Sequence, residues 1–454
     1  MSNVTEENVG ILEEMLKVEG NIDPKNAPRM QELLHDTPIQ DVIALVERQN
    51  SIRGAVVLRL LKRQRSIEVF EALDAAHQAD IIDELGNADV YDYFDELDPD
   101  DRVSLLDELP AEIADRLLRS LDKTERDVTG VVLGYPKGSI GRRMSPEVPE
   151  IYREMTVDEA IARLREDADR VETIYTIPVI RKDRRLVGVV GFRELFMARG
   201  NRLVEDLMSE PVFARAHDDA EETARWFLPL DLLAIPIVDE SQRLVGILTW
   251  DDATDIVEEE DSEDSARAGG TEALQQPYMS TPLLKLVRSR IVWLLVLAVS
   301  ALLTVQVLDA FEGTLASAVV LSLFIPLLTG TGGNTGNQAA TTVTRALALG
   351  DVRKEDLAQV LWRELRVGLL LGSVLGTLGF TLASLVYGLN IGIVIGITLL
   401  LVCAMSATVG GLMPIIAKAI GADPAVFSNP FISTFCDATG LIIYFLIAKA
   451  VLGI

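Results

Sequence analysis

The sequence predicts a multidomain membrane protein: an α-solenoid of short helices, a duplicated α/β module, a linking helix, and an all-α five-helix transmembrane domain. Three observations carry that prediction. Leu61, Leu73, Leu85, Leu97, Leu109 and Leu121 recur every twelve residues. IPVIRKDRRLVGVVGFREL (177–195) returns as IPIVDESQRLVGILTWDDA (235–253) at an offset of 58. Charge also divides the chain, with ten Lys/Arg and eight Asp/Glu in 277–454 but 32 against 61 in 1–276, a net of −29 there. A length of 454 residues allows about three domains.

Residues 1–135 are polar, rich in leucine and acids, and poor in β-branched runs. Most of the period-twelve leucines end an apolar helical pattern just before Asp, Gly or Pro, as in EALD, DELG, DELD and DELP. Gly86 and Pro110 suit helix ends, and Pro99 suits a first turn. Short helices stacked as a small α-solenoid fit this period. Asp92, Asp95, Glu96, Asp98, Asp100 and Asp101 gather on a face that reads as solvated.

Residues 138–257 hold the repeat, each copy reading helix, strand, polar turn, strand, helix. MTVDEAIARLRED (155–167) and AEETARWFLPLD (220–231) supply the helices that precede the strands. The doubled IPV/I…LVG pattern resembles tandem CBS domains. That resemblance implies a sensor module for adenine nucleotides or metal. Thr249 and Asp252 match the Thr-x-x-Asp that holds a ribose in nucleotide-binding members, so ATP is expected in the second copy alone. The first copy carries Gly191 and Glu194 at those positions.

Residues 258–284 are expected to form an acidic linking (plug) helix. The connector DDATDIVEEEDSEDSARAGGTE (251–272) starts inside a helical pattern and has no proline before Gly269.

Residues 285–454 are expected to cross a bilayer five times. Ile291–Leu308 is 18 uncharged residues, and Val367–Ala417 has no charge for 51, enough for two spans turning near Tyr387-Gly388-Leu389-Asn390. A second span, Thr314–Thr344, is interrupted by TGTGGNTGNQ, whose glycines and amides suggest non-helical backbone. A last span lies between Asp423 and Lys449. Basic loops at 285–290, 345–366 and 418 lie on the N-terminal side. The positive-inside rule makes that side cytoplasmic and the C-terminus external. The start MSNVTEENVG lacks a basic and apolar leader, and Cys403 and Cys436 lie in apolar spans, so neither a signal peptide nor a disulfide framework is expected.

Asp437 stands within the last span, where a carboxylate costs roughly 2.5–3.5 kcal/mol by insertion scales. It either bonds a neighbouring helix or faces a polar cavity, and the cost favours the second. Three amides in 334–338 (Asn334, Asn337, Gln338) exceed what close helix packing requires and favour a pore wall. One carboxylate with amides and carbonyls suits a hard cation such as Mg2+ that retains its waters. Two Asp437 residues about a two-fold axis would neutralise it. The acidic surplus concentrates cations and repels nucleic acid.

GTGGNTGNQAATTVTRALALGD and DPAVFSNPFISTFCDATG resemble the signature segments of the MgtE family of magnesium channels, and the domain order matches over the whole chain. The resemblance implies a homodimeric Mg2+ channel of the plasma (bacterial inner) membrane, closed by cytosolic Mg2+. It makes Asp437 the selectivity carboxylate, places Asn337, Thr341 and Asn429 along the path, and puts Val426 at an apolar constriction. Asp423 would meet ions held by the linking helix, where Asp252, Asp255, Glu260, Glu263 and Asp264 match regulatory positions. Glu221 and Asp231 match in the second CBS copy, and Glu68 and Asp100 in the N domain. Ser104 stands where a carboxylate would extend the N-domain site, with Asp101 as a substitute.

Other classes fit less well. A counter-ion-driven carrier needs inverted repeats or a second intramembrane titratable group. An intramembrane metalloprotease needs a His-Glu-x-x-His or its like, yet His35, His77 and His217 all precede the spans, so no enzyme is expected. A nucleotide-sensing scaffold without transport leaves Asp437 unexplained.

Overall fold

The period-twelve leucines mark helix ends. Helices α1 (Asn3–Leu16), α2 (Ala27–Asp36), α3 (Ile39–Glu47), α4 (Ser51–Leu60) and α5 (Arg63–Glu71) open the chain. They are followed by α6 (Ala75–Ile82), α7 (Asn87–Glu96), α8 (Pro99–Glu108), α9 (Ala111–Ser120) and α10 (Lys123–Leu133). Leu61, Leu97, Leu109 and Leu121 are the residues that immediately follow α4, α7, α8 and α9. Leu73 and Leu85 close the turns after α5 and α6. All but Leu61 are buried in one core, at about 1.5–3 kcal/mol for each fully buried leucine. Helices two apart pack together, α4 on α6 on α8 on α10 and α3 on α5 on α7 on α9. This two-row stack is the expected solenoid. Buried Arg102 holds one joint, its Nε donating to Phe94 O at 3.0 Å and its Nη1 to Glu125 Oε2 at 2.6 Å.

The duplicated module forms two three-stranded sheets of one design. In the first, β1 (Ile151–Tyr152) pairs parallel with β2 (Thr176–Ile180), which pairs antiparallel with β3 (Leu186–Gly191). In the second, β4 (Ala214–Arg215), β5 (Ala234–Val238) and β6 (Leu244–Thr249) repeat the pattern. The register break recurs at Val179/Ile180 and Ile237/Val238. The turn residues Arg184 (φ 66°) and Gln242 (φ 60°) both take the left-handed conformation at the repeat offset. The short strands β1 and β4 carry too little pattern to be read from sequence. Helices α11 (Val157–Asp167), α12 (Phe192–Met197) and α13 (Ala220–Phe227) complete the copies. A true capping box, Thr156 with Glu159, starts α11.

The computed structural model describes residues 3–16, 26–168, 170–274, 276–420 and 429–454. It divides into Met1–Glu260 with Leu274–Pro282, and Asp261–Ala273 with Leu283–Ile454. Helix α14 (Trp250–Ala268) runs across that division. It corrects the expected 258–284 helix: α14 stops at Ala268, because Gly270 adopts φ 67° and Pro277 and Pro282 follow.

The second unit holds α15 (Leu283–Ala310), α16 (Glu312–Ser317), α17 (Ile325–Ala348), α18 (Leu357–Tyr387), α19 (Leu389–Ala419) and α20 (Asn429–Leu452). Among the described residues, four helical segments are long and apolar enough to cross a membrane: Leu283–Ala310, Lys354–Tyr387, Leu389–Ala419 and Pro430–Leu452. Gly388, at φ 94°, makes the turn between α18 and α19.

The fifth long helix, α17, overturns an expectation. TGTGGNTGNQ is helical throughout, within Ile325–Ala348. Its glycines serve close packing: a Cβ on Gly332 would stand 2.8 Å from Val402 Cγ1, and one on Gly336 2.7 Å from Ile432 Cγ2. A Cβ on Gly410 of α19 would overlap Gly336 O. The helix therefore nests between α19 and α20 as regular α-helix, which removes the need for irregular backbone. Small residues likewise join α18 to α19. A Cβ on Gly368, Gly372 or Gly376 would come within 2.6–2.7 Å of a backbone oxygen of α19. Buried Tyr444 of α20 donates its hydroxyl to Leu321 O at 2.8 Å.

Candidate ion path and acidic cluster

Two facing pairs define the polar seam between α17 and α20. Residues four apart share one helix face, so Gly333 and Asn337 form one row and Ser433 and Asp437 the other. A Cβ on Gly333 would lie 3.7 Å from Asp437 Oδ1 and 3.5 Å from Ser433 Oγ. Asn337 Nδ2 donates to Ser433 Oγ at 2.9 Å. Its Oδ1 is buried and accepts no hydrogen bond among the described residues. Asn334, Asn337, Gln338, Thr341 and Thr342 line an open groove of about 380 Å³ on α17. Asp437 is half-buried and forms no ion pair among the described residues.

Of the sequence-expected path residues, Asp437 and Asn337 thus lie on opposite sides of one seam, facing Gly333 and Ser433, and Thr341 lies one turn further along the groove. Asn429 begins α20, but its side chain lies outside the described residues, as do Asp423 and Val426. Ser433 was missed. Nothing marks a serine in SNPFISTFCDATG until its neighbour on α17 is known.

In the first unit, carboxylates from four stretches converge. Asp100 of α8 has Oδ1 buried without a hydrogen-bond partner. Burial first, then Asp252, Asp101 and Glu172, hold its carboxyl well above the ordinary range. Asp101, Glu71 and Glu172 are each pushed up to about 7, by burial and then by neighbouring carboxylates that include Asp98 in every case. Asp255 rises to about 6, from burial and then Asp252, Glu259 and Glu258. Arg143 is the cation in this field, donating to Glu259 Oε2 at 2.7 Å.

The acidic face read as solvated is therefore partly enclosed: α8 brings buried Asp100 into the field of Asp252 of α14 and of Glu172. Glu71, Glu172, Glu259 and Arg143 were not among the expected residues: Glu71, Glu172 and Arg143 come from a helix end and loops with no periodic signal, and Glu259 is one acid among many within α14. Among the described residues, no three His, Cys, Asp or Glu side chains converge as a chelating group. The cluster is a field of negative charge, suited to an ion that keeps its waters.

The other expected regulatory residues are dispersed. Glu68 lies instead in a groove of about 500 Å³ with Lys62 and Arg65. Glu221 accepts from Arg225 Nε at 2.7 Å. Asp231 sits exposed at φ 54°, ending the turn after α13. Glu263 pairs with Arg267 along α14, and Glu260 and Asp264 are half-buried on the same helix. Ser104 is half-buried on α8. Thr249 Oγ1 donates to Asp252 Oδ2 at 2.5 Å, so the two expected nucleotide ligands are bonded to each other. In the first copy the Glu194 carboxylate lies directly against Gly191.

Comparison with known proteins agrees with this division. The family described as MgtE, divalent cation transporter, matches residues 325–447, the MgtE intracellular N domain matches 37–138, and CBS domains match 138–201 and 204–259. The chain is 35% identical to the magnesium transporter MgtE of Thermus thermophilus over 427 residues, 93% of this chain and 95% of that one. It is 32% identical to magnesium transporter MgtE of Bacillus subtilis, over 73% and 74% of the two chains. A crystal structure of the cytosolic domain of the Mg2+ channel MgtE in complex with ATP aligns at a TM-score of 0.50 and 31% identity, covering 55% of this chain and 99% of that one.

Proposed function

Because the chain belongs to the MgtE family of divalent cation transporters, we propose that it is a Mg2+-selective channel that admits Mg2+ to the cytosol and closes when cytosolic Mg2+ rises. The observation that carries the ion reading is the seam at Asp437: a carboxylate opposite a glycine, and on the same seam an amide whose oxygen has no partner among the described residues. That wall offers acceptors to the outward-pointing hydrogens of a hydrated cation. Asp437 supplies the field, with Asn337, Thr341 and Asn429 along the path. A homodimer would place two Asp437 carboxylates about one axis.

Closure is assigned to the acidic cluster. Asp100, Asp252 and Asp255 in that cluster would be bridged by weakly held Mg2+ ions, and Glu260, Glu263, Asp264, Glu221, Asp231, Glu68 and Asp423, dispersed from it, would hold further ions of their own. A cation that binds the compact arrangement better shifts the population toward it. Thr249 and Asp252 would bind ATP once their mutual hydrogen bond is exchanged for one to a ribose. The N-terminal domains are assigned to the cytosol and the C-terminus to the exterior, consistent with the placement of the basic loops. The same relatives are magnesium transporters, which leaves no role for an enzyme reading.

The deciding experiment reconstitutes the full chain in liposomes loaded with a Mg2+ indicator and varies Mg2+ on each face. Flux that prefers Mg2+ to Na+ and falls as Mg2+ rises on the cytosolic-domain side supports the proposal. Proton-coupled uptake insensitive to that Mg2+ would favour the carrier reading.

A further inference from the structure

An asparagine amide carries an acceptor edge and a donor edge, and nothing in the residue itself decides which one faces an ion. At Asn337 the neighbours decide. Nδ2 donates to Ser433 Oγ at 2.9 Å, while Oδ1 is buried and accepts nothing among the described residues. Ser433 sits one turn before Asp437 on the same face of α20, and their oxygens lie 3.5 and 3.7 Å from where a Gly333 Cβ would be. The close approach that lets the amide and hydroxyl meet is set one turn away, where a Cβ on Gly336 would stand 2.7 Å from Ile432 Cγ2.

We infer that Ser433 is a positioning residue for ion selection: its hydroxyl holds the Asn337 amide so that the oxygen, one turn along the seam from the Gly333–Asp437 pair, is left for the water coat of the cation. A hydrated Mg2+ presents O–H donors outward. A buried unpaired acceptor is costly until such a donor arrives. An amide free to rotate would turn its N–H2 edge toward the path for part of the time and repel the ion there. The inference rests on the Mg2+ reading above and names a residue that acts through Asn337 rather than on the ion.

The test uses full-length protein in liposomes, with hexamminecobalt(III) as an exchange-inert probe whose outer surface is N–H donors. In Ser433→Ala, block by this probe should weaken by about three- to tenfold, the worth of one fixed hydrogen bond. The ratio of Mg2+ to Na+ flux should fall with it. Ser433→Thr keeps the hydroxyl and should restore both within about twofold, whereas a role in packing alone would leave the threonine variant no better than alanine. Wild-type block and selectivity in Ser433→Ala would overturn the inference, as would an equal loss in Ser433→Thr. If Ser433→Ala does not fold, Ser433→Thr and Ser433→Cys are compared, and retained selectivity in the weakly bonding cysteine variant overturns it. Absence of Mg2+ flux in the wild-type chain would instead defeat the transport reading.

Discussion

Gly333 stands opposite Asp437, with the carboxylate Oδ1 3.7 Å from where a Cβ would be, an ordinary contact distance. A methyl group therefore fits there, but it sets hydrocarbon against the carboxylate. Gly333→Ala should fold with wild-type thermal stability and pass Mg2+ more slowly. Gly410→Ala is the contrast, since its Cβ would overlap the Gly336 carbonyl oxygen. Backbone cannot yield as a side chain end can, so that variant should lose about 1–3 kcal/mol of stability. Thermal melts and liposome flux of the two variants separate packing from permeation.

Removing the carboxylate itself should be more severe. Asp437→Ala protein should stop passing Mg2+ or lose its preference for divalent over monovalent ions, because the field that replaces outer hydration is gone. Asp309→Ala, at the end of α15, should do neither. Undiminished selective flux through Asp437→Ala would sink the assignment.

The acidic cluster predicts proton release on Mg2+ binding. Asp101, Glu71 and Glu172 titrate near 7 in the fold, above the ordinary carboxylate value of 3.8 or 4.5. The folded state thus binds more protons than the unfolded one between those values, and stability falls as pH rises through about 7. Mg2+ favours the ionised forms and displaces those protons. Titrating Mg2+ into the full chain at pH 7 in two buffers of different ionisation enthalpy should show proton release, with less at pH 8.5, where the groups are already ionised. Equal release at both values would contradict the field described here.

At Thr249 the expected nucleotide contact begins from a hydrogen bond to Asp252. Calorimetry with ATP should show one site per chain. Thr249→Ala should weaken binding about tenfold, the loss expected for a hydrogen bond to a charged or polar ligand group. Asp252→Asn should weaken ATP and Mg2+ binding together, since linked sites are coupled reciprocally. No ATP binding with or without Mg2+ would remove the site.

The solenoid and the repeat were legible because each repeats a local pattern many times. Twelve-residue leucines and a doubled IPV/I…LVG signal helix ends and paired strands without tertiary information. Asp437 was legible for the opposite reason, as one costly residue in an apolar run. The glycine-rich stretch was misread because its composition is the same whether glycine frees the backbone or admits a neighbour. Only Val402, Ile432 and Gly410 on other helices distinguish the two. Ser433, Glu172 and Arg143 were invisible for the same reason: each acquires its role from a partner distant in sequence.

Gating by charge neutralisation makes the most exacting prediction. Burial, then the field of Asp252, Glu259 and Glu258, raises Asp255 to about 6, and Arg143 acts against that rise. Such a helix is under repulsion until cations arrive, and its further acids Glu260, Glu263 and Asp264 extend the charge toward Ala268, where α14 ends. Each Mg2+ can be held through only one or two carboxylates and its own waters, so closure should need several ions acting together. A ligand shifts a two-state equilibrium only by its differential affinity, and fewer acids mean less of that difference. Changing Asp255, Glu260, Glu263 and Asp264 to Ala should therefore raise the cytosolic Mg2+ needed for closure by about tenfold or more, as loss of about 1.4 kcal/mol of differential binding implies. Conductance at low Mg2+ should remain at the wild-type level, because none of the four lines the seam at Asp437. Limited proteolysis between residues 100 and 264 should be slowed by Mg2+ in the wild-type chain and much less in the variant. If the quadruple variant closes at the wild-type concentration, gating lies elsewhere even though the assignment of Asp437 would stand.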